Sequence, residues 1–202
     1  ILFLCKYCDK NKKGRVIMNY TMNYAAIKRH DIANGPGVRL SLFVSGCEHY
    51  CKNCFNKEAW DFDYGKPFTN ETFDFIVKEL SSPVYSGLTI LGGEPLHPKN
   101  EFYVAELLIK LKTIYPDLNV WLYTGYTYEE LVYPEIGHGA AKFVLRSIDT
   151  LVDGKFVEEL KDLGLNYRGS SNQRIIDVKK SIAMKKVVLD PLCIGDTDKY
   201  KK

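Results

Sequence analysis

The chain has 202 residues, 46% of them hydrophobic and 26% charged, with a formal net charge of +3. This is the make-up of one ordinary globular domain. Its basic residues are scattered, so neither a nucleic-acid partner nor a membrane surface is expected, and no apolar run approaches the ~20 residues that span a bilayer.

The first segment, Ile1 to Thr21, does not match the rest. It holds Cys5-x2-Cys8 and the basic run Lys10-Asn11-Lys12-Lys13, and it lacks helix or strand periodicity after its first residues. No initial Met is present, and Met18 and Met22 are the natural starts, so residues 1–21 are expected to be a poorly ordered, non-native extension. Asn34-Gly35-Pro36-Gly37 is a dense turn signal. Val38 to Val44 then reads as a strand that feeds a loop carrying Cys47, Cys51 and Cys54.

A Cys-x3-Cys-x2-Cys run supplies three thiolates and no obvious fourth. A closed zinc site wants four ligands, and an electron-carrying iron–sulfur cluster wants four cysteines. Three would hold a cubic four-iron cluster and leave one iron open to a non-protein ligand. Spacing alone also leaves open a zinc site completed by His49, His97, Cys193 or the Cys5/Cys8 pair.

Farther along, Phe73, Ile76, Val77 and Leu80 mark an amphipathic helix, with Thr69 or Asn70 as its N-cap. Leu88–Leu91 is a strand ending in Gly92-Gly93-Glu94-Pro95, where paired glycines permit close backbone approach and the carboxylate can hold an ammonium group. Val104, Leu107, Leu108 and Leu111 mark a second helix stopped by Pro116. Val120–Thr124 is a strand, and Thr127-x-x-Glu130 is a capping box. Ile148–Val152, Arg174–Val178 and Val187–Leu189 are further strands, and Lys199 to Lys202 a solvated tail. Strand–helix alternation at this spacing implies a mainly parallel sheet. Ligand sites in such sheets lie at the carboxyl ends of the strands, where Cys47–Cys54, Gly92–Glu94 and Thr124-Gly125-Tyr126 all fall.

The three-Cys run followed one strand later by Gly92-Gly93-Glu94 resembles the radical S-adenosylmethionine superfamily. Three later segments narrow the likeness: Trp121-Leu122-Tyr123-Thr124-Gly125-Tyr126, Val152-Asp153-Gly154-Lys155-Phe156 and Arg168-Gly169-Ser170-Ser171-Asn172-Gln173-Arg174. With Asn34–Arg39 and Gly93–Pro98 they resemble the activases of anaerobic ribonucleoside-triphosphate reductase, a glycyl-radical enzyme, over roughly Met22 to Leu189.

The resemblance implies an incomplete, open (β/α) barrel in one domain over 22–190, followed by a tail at 191–202. It implies a [4Fe-4S] cluster on Cys47, Cys51 and Cys54, and S-adenosylmethionine held by Asn53, Cys54, Phe55, Gly92, Gly93 and Glu94. This subfamily usually has Gly at the Asn53 position; Asn tolerates the left-handed backbone and should keep the loop path. Phe55 would form the adenine-facing wall.

Reductive cleavage would give a 5′-deoxyadenosyl radical that takes a hydrogen atom from a glycine of the reductase large subunit. A flavodoxin or ferredoxin would donate the electron, in the cytoplasm. No general acid or base is needed, so no catalytic side chain is named, and His49, His97 and His138 are expected to be polar surface or loop residues. Lys155, Arg168, Asn172 and Arg174 would dock the reductase or contact substrate carboxylate and ribose, unless they only cap loops. The rival functions are activation of another glycyl-radical enzyme, radical chemistry on a metabolite, and a non-catalytic electron carrier or zinc adaptor.

Overall fold

The computed structural model describes residues 9–10, 16–17, 22–132 and 139–194. Two short strands, β1 (Asp9–Lys10) and β2 (Val16–Ile17), pair antiparallel within the segment expected to lack strands. Cys5 and Cys8 lie outside the described residues, as do His138 and the tail beyond Ile194.

The main sheet begins with β3 (Asn23–Asp31) and β4 (Arg39–Val44), followed by β5 (Lys66–Pro67), helix α1 (Asn70–Leu80) and β6 (Gly87–Gly92). Then come α2 (Glu101–Ile114), β7 (Val120–Tyr123), α3 (Tyr128–Val132), α4 (Ala141–Ser147) and β8 (Thr150–Asp153). β9 (Arg174–Asp177), α5 (Val178–Met184) and α6 (Pro191–Ile194) close the described chain. The seven strands lie in the order β5-β3-β4-β6-β7-β8-β9. The central four, β4, β6, β7 and β8, run parallel, while β3, β5 and β9 pair antiparallel at the flanks.

The expected helices and parallel strands are present. Thr69 caps α1, its hydroxyl accepting from Thr72 N–H, and Thr127 and Glu130 form the box that opens α3. β3 was not expected: Asn23 to Asp31 has no clean alternation, and its pairing with β4 carries two register shifts. The strand expected at Val187–Leu189 reduces to one bridge between Leu189 and Ile176. Among the described residues no helix is long and apolar enough to cross a membrane.

The two faces of the sheet are covered differently. Leu40, Leu42, Leu88, Ile90, Val120, Leu122 and Leu151 alternate onto one face and pack in the main core with Ile76 of α1, Leu107, Leu108 and Leu111 of α2, and Val144 of α4. The opposite face carries Trp121, Val152 and Ile175, against Tyr123, Tyr167, Leu192 and Cys193. The longer helices therefore lie on one side, while the other is closed by loops and the single turn of α6. On this second face sits Arg39, 1% exposed, with Nε donating to Thr89 Oγ1 and Nη2 to the Leu88 and Asn119 carbonyls. Burial pushes its guanidinium down to about 10.

Candidate functional site

The cysteine loop leaves the carboxyl end of β4. Gly46, at φ +93°, turns the chain where a Cβ would lie 2.0 Å from the Phe62 ring. Gly46 N–H then donates to Ala59 O and Cys47 N–H to Trp60 O, which ties the loop to the helical turn at 57–60. Tyr50 and Asn53 both adopt left-handed backbone, at φ +50° and +54°. Asn53 thus takes the conformation its residue type tolerates, and Cys54 N–H closes the turn onto Cys51 O at 3.1 Å.

Cys47 is buried, while Cys51 and Cys54 are half-buried. Burial pushes the Cys47 thiol up to about 12, opposed by the His49 backbone N–H at its sulfur and assisted by the charges of Glu94 and the other two thiols. Burial also raises Cys51, with Cys54 adding, against the Phe156 N–H and Lys155. The three sulfurs are therefore in electrostatic reach of one another, and two of them receive backbone N–H groups, the pattern that orients and tunes cluster thiolates. Among the described residues no three His, Cys, Asp or Glu side chains converge on the centre that one ion would need. A cube takes each thiolate at its own iron corner, so it suits donors set wider apart.

Phe55 is 97% exposed and forms no wall within this structure.

The Gly92-Gly93-Glu94 strand end lies beside this loop, because β4 and β6 pair in parallel with Val44 opposite Gly92. Gly92 has φ +113°, and a Cβ on Gly93 would come 2.6 Å from the Gly46 carbonyl oxygen. The close approach that these glycines permit is therefore of chain to chain: Gly93 N–H reaches Val44 O and Glu94 N–H reaches Gly46 O.

The Glu94 carboxylate, expected to receive an ammonium group, already receives four donors. Leu96 N–H and Thr124 Oγ1 bond one oxygen, and Gly125 N–H at 2.7 Å and His49 Nε2 at 2.9 Å bond the other. A carboxylate has about four lone-pair positions, so none is left over. His97, read from sequence as a surface or loop residue, is buried, and His49, read likewise, keeps only 9% of its side chain exposed; both lie in loops and both pair with acids. His97 Nδ1 accepts from Lys99 N–H, so Nε2 carries the proton that faces Glu48 at 3.2 Å.

The remaining motifs meet at the ends of β7 and β8. Arg174 lies between Asp153 and Glu129, with bonds to both carboxylates, including Nη2 to Glu129 Oε2 at 2.6 Å; these hydrogen bonds hold its guanidinium well above the ordinary arginine range. Asn172 Nδ2 donates to Lys155 O and Gln173 Nε2 to Gly154 O. Arg168 donates to the sulfur and carbonyl of Cys193. Of the four expected docking residues, Arg168, Asn172 and Arg174 are thus engaged in holding loops together. Lys155 is exposed, makes no ion pair among the described residues, and lines a cavity of about 560 Å³ with Gly125, Asp153, Asn172 and Arg174.

Residues 33–176 match the family described as a 4Fe-4S single cluster domain. Several relatives carry the name anaerobic ribonucleoside-triphosphate reductase-activating protein. That of Vibrio cholerae is 44% identical over 156 residues, covering 76% of this chain and 97% of its own. That of Escherichia coli K12 is 42% identical over 75% of this chain and 96% of its own, and that of Enterobacteria phage T4 is 38% identical over 76% and 93%.

Proposed function

This chain belongs to the anaerobic ribonucleoside-triphosphate reductase-activating protein family and carries its 4Fe-4S single cluster domain; from that premise we propose that it acts as a radical S-adenosylmethionine enzyme which installs the glycyl radical of the reductase. The observation that carries this reading is the adjacency of the Cys47–Cys54 loop and the Gly92–Glu94 strand end on parallel neighbouring strands, joined through His49. When bound, a [4Fe-4S] cluster and S-adenosylmethionine supply one electron and a 5′-deoxyadenosyl radical that removes a hydrogen atom from a glycine Cα of the large subunit.

The chain's own residues hold and shield. Cys47, Cys51 and Cys54 would ligate three irons, Asn53 sets the turn before the last ligand, and Gly92, Gly93 and Glu94 order the strand end that faces the cofactor. Phe55, open to solvent here, would close on the adenine. The cavity bounded by Lys155 would admit the rest of the cofactor or the incoming glycine loop. Longer helices on one face only are what an incomplete, open (β/α) barrel has, and an opening of that kind lets a protein loop reach the reactive carbon. A flavodoxin or ferredoxin would serve as donor, in the cytoplasm. Three thiolates without a fourth favour a cube with one open iron over a closed zinc site.

Anaerobic reconstitution tests this. About four irons per chain are expected, with sulfide and without stoichiometric zinc. Cys47→Ala, Cys51→Ala and Cys54→Ala should each lose the chromophore, while Cys193→Ala should keep it. Adding the reductase, reductant and S-adenosylmethionine should give a doublet glycyl signal in electron paramagnetic resonance. Turnover on a small metabolite with no such signal would overturn the assignment.

A further inference from the structure

Two adjacent residues of the cysteine loop, Glu48 and His49, pair with two residues of the strand-end loop in crossed fashion. Glu48 takes His97 at 3.2 Å, and His49 takes Glu94 at 2.9 Å. The two arms differ in environment. The Glu48 side chain is 54% exposed, so its pair is solvent-screened and holds little. His49 and Glu94 are both at least nine-tenths buried, where a charged acceptor and its donor interact strongly and where a stranded partner is costly.

His49 is also fixed on its other sides. Its ring meets Tyr126 edge-on at 4.6 Å between centroids, and it lies so close over Gly125 that a Cβ there would come within 2.3 Å of the ring. It is itself a member of the ligand loop, two residues beyond Cys47. One residue thus touches the ligand loop, the end of β6 through Glu94, and the end of β7 through Gly125. These are the three segments that the sequence motifs mark separately.

We propose that His49 is a positioning residue for the cofactor site: through Glu94 it locks the cysteine loop to the ends of β6 and β7, so that cluster and S-adenosylmethionine meet in fixed register. Glu94, its lone pairs filled, then serves the cofactor as the strut that shapes the strand end. Reaction across two cofactors depends on their relative placement, and a strut between their two binding loops supplies that placement before either is bound. The inference rests on the function proposed above.

The test compares wild type, His49→Leu, which keeps bulk against Gly125 and Tyr126 but cannot donate, and His49→Gln, whose amide N–H can reach Glu94. In the metal-free chain, alkylation of Cys47 and Cys51 should run about tenfold faster in His49→Leu, since the loop opens more often, and return towards wild type in His49→Gln. After reconstitution, His49→Leu should retain its iron yet bind S-adenosylmethionine ten- to a hundredfold more weakly, in the range of a lost charged hydrogen bond, with the Gln variant restored to within about threefold.

A lowered melting temperature with unchanged thiol protection and unchanged affinity would overturn the proposal. Should His49→Leu not fold, His49→Gln alone decides, and failure of its donor to give wild-type protection and affinity overturns the proposal. A wild-type chain that takes up iron but binds no S-adenosylmethionine would remove the functional reading, while the thiol rates would still judge the lock.

Discussion

Glu94 and Arg39 are buried charged side chains held by opposite means. Glu94 collects donors from three segments, and its amide replacement would turn an N–H₂ group towards N–H donors. Glu94→Gln should therefore cost about 2–4 kcal/mol in stability, read by thermal or denaturant melting, in addition to any loss of cofactor affinity. Among the described residues no carboxylate pairs with Arg39; carbonyls of Leu88 and Asn119, the Thr89 hydroxyl and the Trp121 ring satisfy it. Arg39→Ala strands those acceptors and opens a cavity in β4, so a loss of about 3–5 kcal/mol is expected. Arg39→Lys should recover little of it, because one ammonium cannot span the same acceptors. At this scale the cysteines and the Gly-Gly-Glu run were legible as pattern. The pairing of His49 and His97 with carboxylates was not, because a histidine looks the same in sequence whether it faces water or a carboxylate.

The strands and loops show why the motifs stand where they do. Thr124 and Gly125, at the end of β7, bond the two oxygens of Glu94, which gives the Trp121–Tyr126 segment a physical reason for its composition. Gly125→Ala would place a methyl group against the His49 ring and push it off Glu94. A cost of about 1–3 kcal/mol is expected, with faster alkylation of Cys47 in the metal-free chain as the specific sign. Unaltered thiol protection would mean that the ring has another place to go. The helices α1 and α2, the cap of α1 and the stop of α2 before Pro116 followed from 3.6-residue periodicity and local cap and proline chemistry. β3 escaped notice because an edge-side strand with bulges need not alternate, and α4 and α5, at seven residues each, are too short for periodicity to register.

At the scale of the whole molecule, the proposed function assigns partner recognition to the rim of the cavity that Lys155 lines. Lys155 is exposed and makes no ion pair among the described residues, whereas Arg168 braces α6 through Cys193. Lys155→Ala should lower glycyl-signal formation with iron content intact, and the difference from wild type should shrink at high salt as screening shortens to a few ångströms. Arg168→Ala should instead lower the melting temperature and show no such salt dependence. Equal behaviour of the two variants would sink this division of roles. By itself the sequence determined the three-cysteine run, the strand ends that carry it and the parallel centre of the sheet, because these rest on local spacing and on residue types with few alternative uses; the family followed from the resemblance of whole motifs. Only the tertiary structure decided that the paired glycines bring backbone against backbone, that Glu94 is already filled, and that Arg174 and Asn172 hold loops together. Each of those facts depends on which distant segment arrives at the other side of a side chain. Local periodicity places a residue on a face of its own element, but the partner on that face is chosen by the packing of the whole chain.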